Sequence, residues 1–200
     1  MKKILFLVSS VLLLVACSNK QMQITRASFT VEEGVDDHSP IYFEEEEGKM
    51  HLNEANRIAG TNYIFSVQRD LNVKEVLEEV QRIKSHKYTE ENMHNDEKGV
   101  FFSYADTLHK SLAFFPFKNI EYSFERPKSP ELLLYVNGSN DFFYEGKLIK
   151  KEDLIQHIQD QENISLGFSK TLDFEQYLQM RIFLVENKIA DKFVKIDYIY

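Results

Sequence analysis

The sequence has no tryptophan, a single cysteine, four prolines and seven glycines in 200 residues. One thiol makes neither an internal disulfide nor a cysteine-rich metal site. So little glycine and proline excludes a collagen-like or low-complexity chain. Basic residues are also scarce: 24 Lys and Arg stand against 32 Asp and Glu, a formal charge of −8. With no dense basic tract, the chain is poorly suited to gripping nucleic acid. The longest apolar run, Ile4 to Val15, is interrupted by Ser9 and Ser10 and falls short of the roughly 20 residues of a membrane-spanning helix. Phosphate-binding and nucleophile-elbow motifs are absent, and none of the six histidines forms H-E-x-x-H. What the chain does have is 43% apolar residues, including 16 Phe and 10 Tyr, enough for a core in one mid-sized or two small domains.

The first seventeen residues carry an address. Met1-Lys2-Lys3 is a basic start, Ile4 to Val15 has the length of a signal-peptide apolar region, and Leu14-Val15-Ala16-Cys17 follows. This segment resembles the lipobox of bacterial lipoprotein precursors. The resemblance implies cleavage between Ala16 and Cys17, attachment of palmitate-type lipid at Cys17, and a place in the cell envelope. Ser18, in the position where Asp would redirect sorting, implies an outer-membrane anchor facing the periplasm. Loss of Lys2 and Lys3 with the leader (residues 1–16) takes the formal charge from −8 to −10. Residues 17–30 are polar and aperiodic and read as a lipid-anchored tether.

From Pro130 onward the pattern is regular. Leu132–Val136 is a short β-prone run, Asn137-Gly138 signals a hairpin, and Phe142-Phe143-Tyr144 resumes the strand. Glu145-Gly146-Lys147 turns it, and Lys151–Gln159 reads as a helix with Leu154, Ile155 and Ile158 on one face. Ile164–Phe168 alternates as a strand. Asp173 with Gln176 forms a capping-box pair, after which Phe174, Tyr177, Leu178, Ile182, Val185 and Ile189 recur at helical spacing. Val194–Tyr200 closes as a strand. This α+β order (hairpin, helix, strand, helix, strand) resembles the periplasmic domain of the ExbD/TolR family of biopolymer-transport proteins. The resemblance implies a binding or accessory role in such a system. The family's intramembrane Asp has no counterpart in residues 4–15, so no proton coupling and no family site residue carry over.

The first half echoes the second. Glu47-Gly48-Lys49-Met50 repeats as Glu145-Gly146-Lys147-Leu148, and Phe65–Val73 as Leu166–Phe174. Asn72 with Glu75 matches Asp173 with Gln176, and Val73, Val76, Leu77, Val80 and Ile83 again keep helical spacing. An internal repeat predicts two related α+β units mimicking a dimer. The first covers residues 31–126, with a charged insertion near 84–99 and strands at Phe101–Tyr104, Leu112–Phe117 and Ile120–Phe124. The second covers 127–200, and Glu125–Pro130 is the linker.

Chemistry-bearing clusters are few. Asp36-Asp37-His38 sits in a polar turn, and Glu44–Glu47 lacks the interleaved spacing of a calcium loop and reads as a charged strand edge. No metal site, cofactor or catalytic residue is expected. The aromatic runs are more distinctive. Neighbours in a strand face opposite ways, so Phe114, Phe142 and Tyr144 are taken as the candidate partner surface. The reading is therefore a non-enzymatic, lipid-anchored module for envelope maintenance or transport. It would bind an envelope protein, peptidoglycan or a second copy of itself. The alternative is a wall-modifying hydrolase that uses two non-adjacent carboxylates.

Overall fold

The computed structural model describes residues 22–89, 98–130 and 132–200. In the first half, β1 (Arg26–Ala27), β2 (His38–Glu46), β3 (Lys49–Asn53) and β4 (Asn62–Val67) precede helix α1 (Val73–Thr89). β5 (Val100–Asp106) and β6 (Ser111–Pro116) follow it. In the second half, β7 (Glu121–Ser123), β8 (Leu133–Val136), β9 (Phe142–Tyr144) and β10 (Lys147–Ile149) lead to helix α2 (Leu154–Ile158). β11 (Ile164–Phe168), helix α3 (Phe174–Glu186) and β12 (Phe193–Ile199) complete the chain. The fold is mixed α and β with two sheets.

In the first sheet β3, β2, β4 and β5 pair in that order, with β2–β4 and β4–β5 parallel and β6 antiparallel to β5. In the second the order is β10, β9, β8, β11, β12, β7, and the last three pairings are parallel. Two of the parallel neighbour pairs, β4–β5 and β11–β12, are joined through a helix, the usual form of a parallel crossover. Both helices obey the sequence spacing. α1 buries Val73, Val76, Leu77, Val80 and Ile83, and α3 buries Phe174, Tyr177, Leu178 and Ile182.

The two helix starts are bonded to each other. Asn72 and Asp173 form an antiparallel bridge, in which Val73 N–H donates to Leu172 O at 3.0 Å and Phe174 N–H to Leu71 O at 2.8 Å. Each start is also capped by its own side chain. Asn72 Oδ1 accepts from Lys74 and Glu75 N–H, while Asp173 and Gln176 close a reciprocal box. Asn72 Nδ2 donates across the seam to Lys170 O at 2.9 Å. Beneath the seam one aromatic cluster joins the halves. Phe102 stacks on Phe117 at 3.9 Å, and Phe174 from α3 meets Phe102 edge-on at 5.0 Å. The buried residues form a single core cluster.

Three features differ from the sequence reading. First, β7 lies before the Glu125–Pro130 linker yet pairs with β12, so the change of sheet falls at residues 117–120. Phe117 and Ile120 are buried there, because the crossing chain runs through the core. Second, much of the expected tether (17–30) is already part of the fold. β1 joins β5 in parallel, Ile24 bridges Gln68 just past β4, and Thr25 is buried. Tyr104 Oη accepts from Val31 N–H and donates to Phe29 O, each at 2.8 Å, and Glu32 bridges Phe114. Third, the hairpin expected at Asn137-Gly138 forms between β8 and β9, but through the longer loop Asn137–Asp141, and the tight two-residue turn is the one at Glu145-Gly146. Glu145 and Gly146 have φ of 51° and 74°, and Glu47 and Gly48 have 52° and 76°, the values a two-residue primed turn demands. At Asn137–Asp141 the left-handed residue is Asn140. Gly138 is instead a close approach, where a Cβ would lie 2.4 Å from Thr171 Oγ1.

A buried carboxylate fastens residues 22–32, the strap that crosses the first sheet. Asp106 is buried at the end of β5. Its carboxylate accepts from the Thr30 hydroxyl, the His109 ring and the N–H groups of Leu108 and His109. These bonds, the Thr30 hydroxyl foremost, hold its pKa well below the usual carboxylate range. In the unfolded chain Asp106 takes a proton below about pH 4, so its stabilisation is complete above that pH and declines beneath it. Asp106→Asn is thus expected to destabilise the protein at pH 7. Its deficit relative to wild type in urea denaturation should shrink as pH falls below about 4; a constant deficit would contradict the assignment. For the shared core, Phe174→Ala is expected to cost about 3–5 kcal/mol. It should shift one cooperative transition, whereas two separate transitions would show independent cores.

Candidate functional site

The second sheet turns one face toward α3 and leaves the other open. On β8, Leu134 and Val136 are buried and the alternate residues Leu133 and Tyr135 are half-buried. Register carries this parity across the sheet. Tyr135 pairs with Phe143 on β9 and with Gly167 on β11, which in turn pairs with Tyr198 on β12. Gly167 therefore sits at the centre of an aromatic face. A Cβ there would come within 3.0 Å of Tyr135 Cδ2 and 3.2 Å of Tyr200. Its absence lets the Tyr135 and Tyr200 rings close over the strand, stacked at 5.0 Å and 25°.

The Arg126 guanidinium lies 5.1 Å from the Tyr200 ring centre. Together with Leu133, Phe143 and Gly146 these groups line a cleft of about 400 Å³. No carboxylate lies within ion-pair distance of Arg126 among the described residues. Burial raises the Tyr200 phenol pKa, the Tyr135 phenol adds to the shift, and Arg126 opposes it. Tyr200 is therefore a neutral hydrogen-bonding phenol at physiological pH. The cleft offers two stacked rings, an apolar wall and one uncompensated cation, a combination suited to a flat or apolar group beside an acid.

The sequence-nominated surface lies elsewhere. Phe142 and Tyr144 pair with Val136 and Leu134, so they share the core-facing side of the sheet. Phe142 is 8% exposed, Phe114 is 7% exposed and Tyr144 is half-buried. The outward residue of that run is Phe143, one position away, because a strand reverses face at every step. Ala16, Cys17 and His94 lie outside the described residues.

The remaining polar candidates are structural. Asp37 pairs with Lys98, and His38 Nδ1 bonds Val35 O. Glu44–Glu46 belong to β2 and run past the end of β4, paired on the other side with β3. Deep in the second half, Asp197 meets Tyr177 Oη at 2.9 Å and Arg181 Nη1 at 3.4 Å, closed off from solvent. Lys84 and Lys87, expected in a charged insertion near 84–99, instead belong to α1 and are buried, and residues 90–97 of that insertion lie outside the described residues. Lys84 Nζ donates to Ile120 O, and Lys87 Nζ donates to Thr61 O while lying 3.9 Å over the Tyr63 ring. Among the described residues no group of His, Cys, Asp and Glu is placed to hold a metal, and no helix is long and apolar enough to cross a membrane.

Comparison of the chain with protein-family models, with curated proteins and with solved structures gives no match. Gly167→Ala is expected to push the Tyr135 and Tyr200 rings apart and to cost about 1–3 kcal/mol through overpacking. Near-ultraviolet circular dichroism should lose tyrosine ellipticity in that variant. An unchanged spectrum would show that the two rings do not depend on the glycine.

Proposed function

We propose that this chain is a lipid-anchored binding module of the bacterial cell envelope, attached through Cys17, that recognises an envelope partner with the aromatic cleft of its second sheet. The observation that carries the reading is the cleft itself. Stacked Tyr135 and Tyr200 beneath an uncompensated Arg126 form a surface whose chemistry is recognition, and no lining group pairs a nucleophile with a base. Anchoring confines such a module to one surface and raises its local concentration there. The leader and the Leu14-Val15-Ala16-Cys17 motif support that anchoring.

The fold is proposed to be an ExbD/TolR-like unit present twice in one chain, serving transport or envelope maintenance without proton coupling of its own. Two features support the duplication. Strand, helix, parallel strand recurs in both halves. The seam bonds are also reciprocal at a constant offset, with Val73 on Leu172 answered by Phe174 on Leu71. The Glu-Gly turns align less well, since the hairpin β2–β3 borders β4 directly whereas β8 stands between β9–β10 and β11.

The test is photo-crosslinking in cells from position 143, with Leu148 (exposed on β10) as a control position. A discrete adduct is expected from 143. It should be lost in Tyr200→Ala and in Cys17→Ser, and absent from position 148. An adduct that is indifferent to Tyr200→Ala would remove the cleft from the proposal.

A further inference from the structure

Arg26, Arg69 and Lys151 gather where the chain leaves the fold toward Cys17. Two cavities share Arg26. One, of about 420 Å³, lies between β1 and α3 and is lined by Arg26, Lys151 and Glu186 over the ring of Phe183. The other, of about 450 Å³, surrounds Met22, the first described residue, and is lined by Arg26 and Arg69. Their linings hold three cations and one carboxylate, in a protein whose formal charge without the leader is −10.

The Lys151 ammonium is half-buried, 4.6 Å over the Phe183 ring and 5.9 Å from that of Phe142. Neither Lys151 nor Arg69 has a carboxylate within ion-pair distance among the described residues, whereas Arg26 has Glu175 at 3.6 Å. Burial lowers the Lys151 pKa, and Glu186 and Glu152 act against that shift. A partly desolvated ammonium on aromatic rings, with Glu186 and Glu152 close but outside ion-pair distance, is suited to an incoming anion.

The length of chain beyond this end indicates which anion. Five residue steps separate Met22 from Cys17, and they reach at most about 18 Å however they are arranged. We propose that this end of the molecule is a docking surface for anionic phospholipid headgroups, with Arg26, Arg69 and Lys151 receiving the phosphates. The proposal rests on anchoring at Cys17, since the anchor holds this face at the bilayer. Charges act over only about 8 Å at physiological ionic strength. An acidic protein tied this closely to an anionic leaflet is repelled unless a locally cationic face is turned toward it. Phe183 and the apolar floor of the first cavity suit the glycerol portion beneath a phosphate.

The experiment uses the chain from residue 17 with Cys17→Ser, which carries no lipid, sedimented with vesicles. One vesicle set is pure phosphatidylcholine and the other contains about one-third phosphatidylglycerol. Selective partition onto the anionic vesicles is expected, with a loss of about five-fold for each of Arg69→Gln and Lys151→Gln. Lys195→Gln, an exposed lysine on β12, should change little. Thermal melts establish that each variant folds. Equal partition onto both vesicle types, or anionic partition indifferent to Arg69→Gln and Lys151→Gln, would overturn the proposal. So would saturable binding of soluble glycerol phosphate without vesicle binding, which would identify a free phosphate ligand. Anchoring is read separately, from the mass of the Cys17 peptide isolated from cells. An unmodified peptide would sink the anchoring reading whatever the vesicles show.

Discussion

Two backbone hydrogen bonds, Val73 N–H to Leu172 O and Phe174 N–H to Leu71 O, set the relation of everything else. A helix start leaves its first N–H groups without intrahelical partners. Here two starts use one another, and the side chains of Asn72 and Asp173 satisfy further donors of the same first turn. Bringing the starts together fixes where α1 and α3 begin, and so where each lies against its sheet. It also delivers Phe174 to Phe102 and Phe117, joining two modest apolar cores into one. Neither half has to bury its core unaided, which is the difficulty of small domains.

The open face of the second sheet follows from the same arrangement. With α3 on one side of β8, β11 and β12, the alternate residues Tyr135, Gly167 and Tyr198 have no helix to pack against. The rings of Tyr135 and Tyr200 cover Gly167 themselves and leave the cleft beside Arg126. The strap over residues 22–32 gives the first half a corresponding boundary, because its Thr30 hydroxyl meets Asp106 together with the His109 ring and the backbone donors of the β5–β6 turn. The cleft and the strap thus occupy different parts of the molecule, one on the open face of the second sheet and one beside α3.

Sequence pattern revealed the helices well, since five apolar positions from Val73 to Ile83 and the Asp173–Gln176 cap need only local information. It revealed β2 poorly. Pro40 and the acids after Phe43 obscure the buried alternation of Ser39, Ile41 and Phe43. Strand parity was the decisive gap at the cleft: choosing Phe142 and Tyr144 instead of Phe143 selects the wrong face of β9, and only pairing with β8 settles which is which. A signal was nonetheless present. Gly167 interrupts an apolar strand, and such a glycine marks close approach by another group, here two tyrosines. The seam had no local signature beyond its caps, because a bridge between two loop residues 101 positions apart is a tertiary event.

The most direct measurement is native-state amide exchange at Val73 and Phe174. If the reciprocal bridge unites the halves, both amides should exchange only through global unfolding, with equal protection free energies that match the denaturant-derived stability. Val73 protected to that limit while Phe174 opens by a lower-energy route, or the reverse, would contradict the account. It would show two units that merely touch.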